Sequence, residues 1–479
     1  MGRYRKTRHI SALPDEVFRA FTDPAFVADW MEADGLADQR GSLDVAGSTY
    51  TLVISGPWRF RMRVTRSEPP HAYGLEGRGP LGTTYRLSAT VTPAGDTSEL
   101  VVETEWTLPF GPLGRWMDRR WVEPGTRGND DRELDRLVDI VTGQDARSPG
   151  NVVRAGRRMR ELDAAVSRAE AALLDRQVGT WSSRRIRWSG GETQVIEAGR
   201  GDPLLLVHGG MGNAGDWAQL MGRMARTRRV IAVDRPGHGL STPFDYRGVD
   251  LWDHATTFLT EIIDSMGLER VDVAGNSMGG LFGIALAEAR PDRVRRLVLV
   301  GAPAGAQRAL PAKIGGMAWP VVGSLAIAMV RRSTPASTRS FWDGLIVAHP
   351  ERLSDEALEF VALAARRNAD GWRSIVRSNA SVRGIQPRNL VHRHLTRVTV
   401  PVGWVWGERD AFTTPAAGRR LAGLTQQQGP FVIIPDAGHL PWFDEPDLVA
   451  EAVLWTLSHD VQGRAAREAH ERQPESVPA

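Results

Sequence analysis

The sequence of 479 residues predicts two domains in tandem, an α+β domain over residues 1–146 and an α/β domain with a mostly parallel sheet over residues 181–460. Three observations predict this arrangement. The chain is longer than one ordinary domain. Its first segment alternates apolar and polar residues, as antiparallel strands with one buried face do. Its second segment alternates apolar runs with helical patterns, as parallel sheets do.

The composition excludes several classes of protein. A hydrophobic content of 42% beside 24% charged residues is typical of a globular chain with a core. The absence of cysteine removes disulfides, thiolate catalysis and cysteine-ligated zinc. The formal net charge is only +3, which is too small an excess to indicate nucleic-acid binding. We therefore expect no nucleic-acid partner, no cofactor and no bound metal.

Two stretches bear on localisation. The N-terminal "MGRYRKTRHISALPDEVF" is basic but lacks the apolar core of a signal peptide, so we expect a cytoplasmic protein. Residues 314–330, "IGGMAWPVVGSLAIAMV", are at the lower length limit for a membrane span, and Pro320 interrupts them. The sequence favours a buried helix pair there, with peripheral membrane contact as the remaining alternative. It leaves the oligomeric state open.

The first domain begins with two short helices and continues with strands. In "PDEVFRAFTDPAFVADWM", Pro14 suits a first helical position, and the pattern restarts at Asp23 and Pro24. Three later stretches alternate apolar and polar residues and predict strands: "WRFRMRV", "TYRLSATV" and "ELVVETEWTL". The stretch "DRELDRLVDIV" has apolar residues at helical spacing and predicts a terminal helix.

This order of elements, with the opening "ALPDEVFRAFTDPAFVADWM", resembles the helix-grip fold of the START-like (SRPBCC) superfamily, which includes polyketide cyclases and lipid-transfer domains. The resemblance covers residues 1–146. It implies a sheet curled around the last helix and an apolar cavity that binds a hydrophobic ligand. The alternative is that the large aromatic residues only fill the core. These residues are Trp30, Trp58, Phe60 and Trp106.

Residues 147–180 connect the two domains. The cluster "SPGN" breaks regular structure, and "VVRAGRRMRELDAAVSRAEAALLDRQV" then carries Ala and Leu at helical spacing among many charges. We predict an amphipathic linker helix here. At the other end of the chain, residues 461–479 are charged and poor in large apolar side chains, which predicts a disordered tail.

The stretch "VDVAGNSMGGLFG", residues 271–283, predicts a strand, a sharp turn and a helix with Ser277 at the turn. Such a nucleophile elbow holds its serine in a strained conformation that exposes the hydroxyl, and small flanking residues prevent clashes. The candidate residues that shape this elbow and its site are Gly209, Gly275, Asn276 and Gly279.

A serine hydroxyl needs a base that removes its proton and an acid that orients the base. His439 follows the apolar run "FVIIPDAG", and Asp410 follows "VGWVWGER", so both are expected at the carboxyl ends of strands. Glu408 is the alternative acid. Taken singly, each of these residues also fits a purely structural role in a turn or a cap. The backbone amides of Gly210 and Met278 are the candidate oxyanion hole.

Five segments in this order resemble the α/β-hydrolase superfamily over residues 181–460: "HGGMGNAGDW", "DRPGHGLS", "GNSMGG", "GERDAFTTP" and "DAGHLPWFDEP". The resemblance implies the Ser277–Asp410–His439 triad and a helical cap over residues 306–395, where the sheet pattern is interrupted. The cap aromatics Trp319, Phe341 and Trp342 indicate either an apolar substrate or a packed cap core.

Ser277 stands where dehalogenases and epoxide hydrolases of the aspartate type carry their nucleophile, which disfavours that chemistry. "GNSMGG" and "HGGMG" resemble meta-cleavage-product hydrolases, but Leu440 follows His439 where that family typically has Trp. We therefore expect hydrolysis of an ester, lactone or thioester of a hydrophobic small molecule through an acyl-enzyme. Carbon–carbon bond hydrolysis is the second expectation, and a non-catalytic carrier of hydrophobic ligands is the third.

Overall fold

The computed structural model describes residues 2–31, 35–54, 58–79, 82–107, 134, 137–138, 141–142, 157–315, 320–381 and 384–459. The chain divides into two compact units. One comprises Met1–Ser148 with Trp319–Ala328, and the other comprises Pro149–Ala318 with Met329–Ala479. The predicted disordered tail, residues 461–479, lies outside the described residues.

The first unit contains a seven-stranded antiparallel sheet, with two helices between its first and second strands. The elements are β1 (Gly2–Ile10), α1 (Pro14–Thr22), α2 (Pro24–Trp30), β2 (Gly35–Arg40), β3 (Thr49–Ile54), β4 (Trp58–Glu68), β5 (Ala72–Arg78), β6 (Thr84–Ala94) and β7 (Thr97–Thr107). The strand order is β1-β7-β6-β5-β4-β3-β2. This confirms the predicted α+β class.

One face of this sheet is buried, as the alternating pattern predicts. On β6, Leu87, Ala89 and Val91 are buried, whereas the residues between them are exposed. Trp30 and Trp106 are buried in the same core. Of the predicted terminal helix, Leu134 and Leu137 fall among the described residues, and both are helical and buried in this core. These aromatic and aliphatic side chains therefore stabilise the unit by apolar burial.

The second unit contains an eight-stranded sheet flanked by helices. Its elements before the cap are α3 (Arg157–Gln177), β8 (Trp181–Trp188), β9 (Gly191–Ala198), β10 (Pro203–Val207), α4 (Ala218–Met224), β11 (Arg229–Val233), α5 (Leu251–Ser265), β12 (Val271–Asn276), α6 (Met278–Ala289) and β13 (Val294–Val300). The later elements are β16 (Pro401–Gly407), α12 (Pro415–Ala422), β17 (Gln427–Ile434), α13 (Pro441–Asp444) and α14 (Pro446–Ser458).

The strand order is β17-β16-β13-β12-β10-β11-β9-β8. Strands β8 and β9 pair antiparallel, as do β9 and β11, and the remaining pairs are parallel. Parallel strands covered by helices on both faces are apolar throughout, and β12 is buried at all six positions. This confirms the predicted mostly parallel sheet.

The segment between β13 and β16, for which the sequence predicts a cap, is mostly helical and is called the cap below, although most of its helix α8 falls in the first unit. It contains α7 (Ala312–Gly315), α8 (Pro320–Val330), α9 (Pro335–Trp342), α10 (Asp355–Asn379), the short hairpin β14 (Ala380–Ser381) and β15 (Gly384–Ile385), and α11 (His392–Leu395). The apolar run 314–330 thus falls on two helical segments, separated by residues 316–319, which lie outside the described residues. Among the helices that the structure describes, none is long and apolar enough to cross a membrane.

Helix α3 lies within the segment predicted as a linker helix. Its residues Val166, Leu173 and Leu174 are buried in the core cluster of the second unit. The apolar positions of this amphipathic helix therefore face that core, and most of its charged positions face solvent, whereas Glu170 is buried.

Candidate active site

Ser277 lies between the end of β12 and the beginning of α6, at φ 51° and ψ −113°. A positive φ is strained for a residue with a side chain, so the surrounding structure must hold it. The backbone carbonyl of Ser277 accepts hydrogen bonds from the amides of Leu281, at 3.1 Å, and Ala304, at 2.8 Å. The strand, strained serine and helix form the predicted elbow.

Two glycines permit this turn by close backbone contact. A Cβ atom at Gly275 would lie 2.4 Å from the carbonyl oxygen of Gly279. A Cβ atom at Gly279 would lie 2.0 Å from the carbonyl oxygen of Val207, the last residue of β10. Real Cβ atoms do not approach oxygen so closely, so both positions require glycine. The elbow thereby packs directly on the neighbouring strand.

His439 and Asp410 form a buried pair. The Nδ1 atom of His439 donates to both carboxylate oxygens of Asp410, at 3.0 Å and 2.9 Å. The same carboxylate accepts from the amides of Ala302 and Phe412, each at 2.9 Å. Because a carboxylate only accepts, it fixes the imidazole with its proton on Nδ1. The Nε2 atom of His439 is buried and has no hydrogen-bond partner among the described residues, so it remains free to accept a proton.

Asn276 and Phe412 hold the histidine in place. The side-chain amide of Asn276 is buried and donates to the carbonyl oxygens of Val300, at 2.7 Å, and His439, at 3.2 Å. The ring of Phe412 stacks on the imidazole of His439 with a centroid distance of 3.9 Å. Sequence reasoning included Asn276 and missed Phe412, although the latter lies only two residues beyond the candidate acid Asp410.

Glu408, the alternative acid, is exposed and has a different partner. Its carboxylate accepts a hydrogen bond from the amide of Asp436 at 2.9 Å. In the structure, Asp410 and not Glu408 is paired with His439. The geometry thus favours Asp410 in the orienting role.

The loop after β10 is held by a buried arginine that sequence reasoning missed. The guanidinium of Arg235 donates to the carbonyl oxygens of His208 at 3.1 Å, Gly209 at 2.7 Å and Gly210 at 2.8 Å. Burial lowers the pKa of Arg235 to about 10. Because this value is still well above 7, the guanidinium is charged at neutral pH. The three carbonyls therefore face Arg235 in a fixed direction. Its place two residues after β11, in "DRPGHGLS", was the available signal.

The same loop passes beside the elbow. A Cβ atom at Gly209 would lie 3.1 Å from Cβ of Ser277 and 2.4 Å from Oδ1 of Asn276. Gly210, Ser277 and Met278 line one pocket. Met278 is the first residue of α6, where backbone amides lack partners within the helix. The two predicted oxyanion-hole residues thus line the same pocket as the predicted nucleophile.

The pocket at Ser277 is small and mostly apolar, with a cavity volume of about 60 Å³. Its other lining residues are Ala302, Pro303, Ala304, Gly305, Ala306, Gln307, Ala309, Leu310, Ile314, Trp372, Val376, Asn379, Ala380, Ile385 and Phe412. None of these described residues carries a charge. A cavity of this size is far below the roughly 300 Å³ at which pockets for drug-sized ligands begin.

The described aromatics of the cap divide between the core and the pocket at Ser277. Trp372 of α10 lines the pocket and contacts Gly210, where an added Cβ atom would lie 2.3 Å from the indole. Trp342 is buried in the core cluster, and Phe341 packs against that cluster. Trp319 lies outside the described residues. Phe341 and Trp342 thus fit the packed-core alternative, whereas Trp372, which the sequence analysis did not single out, lines the pocket.

Comparison with known proteins matches both units to families. The family described as "Alpha/beta hydrolase family" matches residues 204–452, and the family described as "Polyketide cyclase / dehydrase and lipid transport" matches residues 1–142. The second match agrees with the resemblance of the first domain to START-like proteins.

Individual relatives include hydrolases of Pseudomonas. The chain is 41% identical over 124 residues to the 2-hydroxy-6-oxo-2,4-heptadienoate hydrolase of Pseudomonas putida, covering 25% of this chain and 44% of that one. It is 40% identical over 124 residues to a 2-hydroxymuconate semialdehyde hydrolase of a Pseudomonas species, covering 25% and 42%. The matches thus span less than half the length of these two relatives.

Among solved structures, a carboxylesterase from Bacillus subtilis is similar to the chain, with a TM-score of 0.49 and 23% identity. The match covers 62% of this chain and 98% of that one.

Proposed function

The chain belongs to the alpha/beta hydrolase family, and from this premise we propose that it hydrolyses carboxylic esters, with Ser277 as nucleophile, His439 as general base and Asp410 as the orienting acid. The observation that carries the proposal is the buried pair of His439 and Asp410, which leaves Nε2 without a partner on the side away from the acid. The strained elbow at Ser277 supplies the second part of the arrangement.

The reaction follows from these groups. His439 Nε2 accepts the proton of Ser277 Oγ as the oxygen attacks the ester carbonyl carbon. The carbonyl oxygen becomes an oxyanion, which accepts hydrogen bonds from the amides of Gly210 and Met278. The intermediate then expels the alcohol, which takes the proton from His439 and leaves an acyl-enzyme. A water molecule, deprotonated by His439, then attacks the acyl carbon. The bond from that carbon to Ser277 Oγ breaks as His439 returns the proton to Oγ, and the acid is released.

The lining of the pocket at Ser277 favours a substrate whose acyl group is uncharged. Its described lining is mostly Ala, Gly, Pro and larger apolar side chains, with Gln307 and Asn379 as polar members. Placing a carboxylate against such a wall without a cation costs several kcal/mol, because burial of an unpaired charge is unfavourable. An ester or lactone with an apolar acyl chain avoids this penalty.

Carbon–carbon bond hydrolysis is the second candidate, and a specific observation favours it. The relative that is 41% identical over 124 residues is named for a heptadienoate, a carboxylate substrate. The same three residues would serve such a reaction. Ester hydrolysis stands first because the described pocket lining offers no cation for that carboxylate.

We further propose that the first unit binds a hydrophobic small molecule, as its match to lipid-transport domains suggests. The hydroxyl of Tyr50 supports this proposal. It is buried in the apolar core and lacks a hydrogen-bond partner among the described residues. A buried hydroxyl without a partner is unfavourable, and a ligand with a polar group would satisfy it.

A substrate comparison tests the ester proposal. The purified full-length chain is assayed with p-nitrophenyl butyrate and with a 2-hydroxy-6-oxo-dienoate, and kcat/KM is measured for both. We expect a kcat/KM for the ester at least about tenfold above that for the dienoate. A preference for the dienoate by the same margin would make carbon–carbon hydrolysis the activity instead.

A further inference from the structure

We propose that helix α3, which lies outside both family matches, positions the oxyanion loop of the hydrolase site through cap helix α10. The oxyanion loop is defined here as residues 208–212. The link runs from Asp163 on α3 to Arg367 on α10, and from the adjacent Asn368 to the loop. The catalytic consequence rests on the proposed ester hydrolysis, whereas the link itself is a property of the fold.

Asn368 ties the oxyanion loop to α10. Its side-chain nitrogen donates to the carbonyl oxygens of Met211, at 2.7 Å, and Gly212, at 3.1 Å. Its side-chain oxygen accepts from the amide of Gly239 at 2.8 Å. The residue is wholly buried. Because a primary amide both donates and accepts, no other side chain of this size makes all three bonds.

Asn368 and Arg235 hold different parts of the loop. Arg235 binds the carbonyls of residues 208–210, and Asn368 binds those of the next two residues. Together they occupy all five consecutive carbonyls, which fixes the peptide planes and therefore the direction of the amide of Gly210. Arg235 belongs to the sheet side of the unit, whereas Asn368 belongs to the cap.

Arg367 connects α10 to α3. Its Nε atom donates to the carboxylate of Asp163, and its terminal nitrogen donates to the carbonyl oxygen of Ser241 at 2.9 Å. The guanidinium is almost fully buried, with a side-chain exposure of 2%, so it depends on these partners. The ion pair therefore fixes the register of α10 on α3 at the residue next to Asn368.

A second contact of α3 lies beside the segment that follows the loop. The carboxyl group of Glu170 is buried and accepts from the side chain of Gln194 at 2.6 Å. A Cβ atom at Gly215, in the 3₁₀ turn Ala214–Trp217, would lie 2.8 Å from Glu170. Burial, with the nearby Asp234, raises the pKa of Glu170 to about 8. Helix α3 thus also packs against the 3₁₀ turn that follows the oxyanion loop in the chain.

The position of the amide of Gly210 matters most in the transition state, because negative charge develops on the carbonyl oxygen only then. Loosening the loop should therefore lower kcat and leave KM nearly unchanged. General destabilisation of the fold lowers the amount of active enzyme but does not change the kcat of the folded fraction. This difference separates positioning from a merely structural role.

The test uses full-length variants Asn368→Ala and Asp163→Asn. Arg176→Gln is the matched control. Arg176 lies on α3 and pairs with Glu356 of α10 at 2.8 Å, but this ion pair lies at the surface. Active sites are titrated, and kcat and KM are measured with p-nitrophenyl butyrate. We expect kcat to fall about tenfold or more in Asn368→Ala and about threefold in Asp163→Asn, with KM within about twofold. The control should match the unmodified chain.

The double variant sharpens the test. The double variant carries both Asp163→Asn and Asn368→Ala. If both residues act through the same loop, the factor by which its kcat falls should be smaller than the product of the factors for the two single variants. Multiplicative losses would show that Asp163 acts by another route. An unchanged kcat in folded Asn368→Ala, or an equal loss in Arg176→Gln, would overturn the proposal.

Amide hydrogen exchange tests the link independently of activity. Peptides covering residues 208–217 should exchange faster in both variants than in Arg176→Gln. Exchange that stays unchanged would overturn the positioning role even if activity falls. Should the unmodified chain hydrolyse no ester, the proposed function fails, while faster exchange in the two variants would still support the structural link.

Discussion

The two sheets of this protein bury their residues differently. On β6 of the antiparallel sheet, buried and exposed residues alternate from Arg86 to Thr92, and the exposed side chains of this stretch are polar. On β12 of the mostly parallel sheet, all six residues are buried, and the candidate nucleophile Ser277 comes only after the strand ends. Asp410 and His439 likewise follow the ends of β16 and β17. The comparison teaches that a sheet buried on both faces leaves only the ends of its strands for polar candidate site residues, here the carboxyl ends.

The largest expected break in this arrangement comes from Asp410→Asn. An amide can donate to Nδ1, which favours the wrong imidazole tautomer, so we expect kcat for an aryl ester to fall about 10⁴-fold. The amides of Ala302 and Phe412 donate to different carboxylate oxygens, so in the variant one amide keeps its acceptor and the other faces the new NH2 group. Urea denaturation of the variant separates any loss of folded protein from the loss of kcat. Glu408→Gln is the control and should change kcat by less than about twofold. Equal losses in the two variants would contradict the assignment of the acid.

The next effect concerns the elbow itself. Gly279→Ala places a methyl group 2.0 Å from the carbonyl oxygen of Val207, so the turn must move. We expect a loss of about 3 kcal/mol in the free energy of unfolding. Gly267→Ala, also in the second unit, has open space and only a positive φ of 65°, and should lose about 1 kcal/mol. Urea denaturation measures both, and similar losses would mean that the elbow is not tightly packed on β10.

A smaller effect comes from Glu170 and depends on pH. Burial, followed by the charge of Asp234, raises its pKa from 4.5 to about 8, and Asp216 also lies close. The native state therefore keeps a proton that the unfolded chain has lost between these values. This contribution to stability is fully present below pH 4.5 and is lost as the pH rises through 8.

Glu170→Gln removes this titration and keeps a neutral side chain of the same size. Between pH 6 and 8 the unmodified chain should lose about 2 kcal/mol more than the variant. Burial raises the pKa of Asp216 to about 7, which contributes to the slope in both proteins, so the difference between them is the measure. Parallel stability curves would show that Glu170 does not retain its proton.

The smallest effect expected concerns the first unit. Removing residues 1–146 leaves every candidate catalytic residue in place, so kcat/KM for a small soluble aryl ester should stay within about twofold. If the first unit captures hydrophobic substrate, KM for a long-chain ester should rise roughly threefold, because the tethered binding site is lost. Equal behaviour of the two esters would remove the capture proposal and leave the first unit without a role in turnover.

Much of the fold and of the candidate site can be predicted from local sequence patterns. The strands follow from apolar periodicity, and Ser277, Asp410 and His439 follow from short segments after apolar runs. Arg235 and Asn368 were not predicted, because their contacts with the oxyanion loop join residues far apart in sequence. Glu170 falls in a segment whose pattern predicts an amphipathic linker helix, and that pattern does not reveal that its carboxyl group is buried.

The central claim is that Ser277 is the activated nucleophile of a serine hydrolase. The most direct measurement is intact-protein mass spectrometry of the full-length chain after incubation with a fluorophosphonate, beside the variant Ser277→Ala. The account predicts one covalent adduct on the unmodified chain and none on the variant, since only an activated serine attacks phosphorus at a useful rate. An unlabelled native chain, or an adduct that persists in Ser277→Ala, would contradict it.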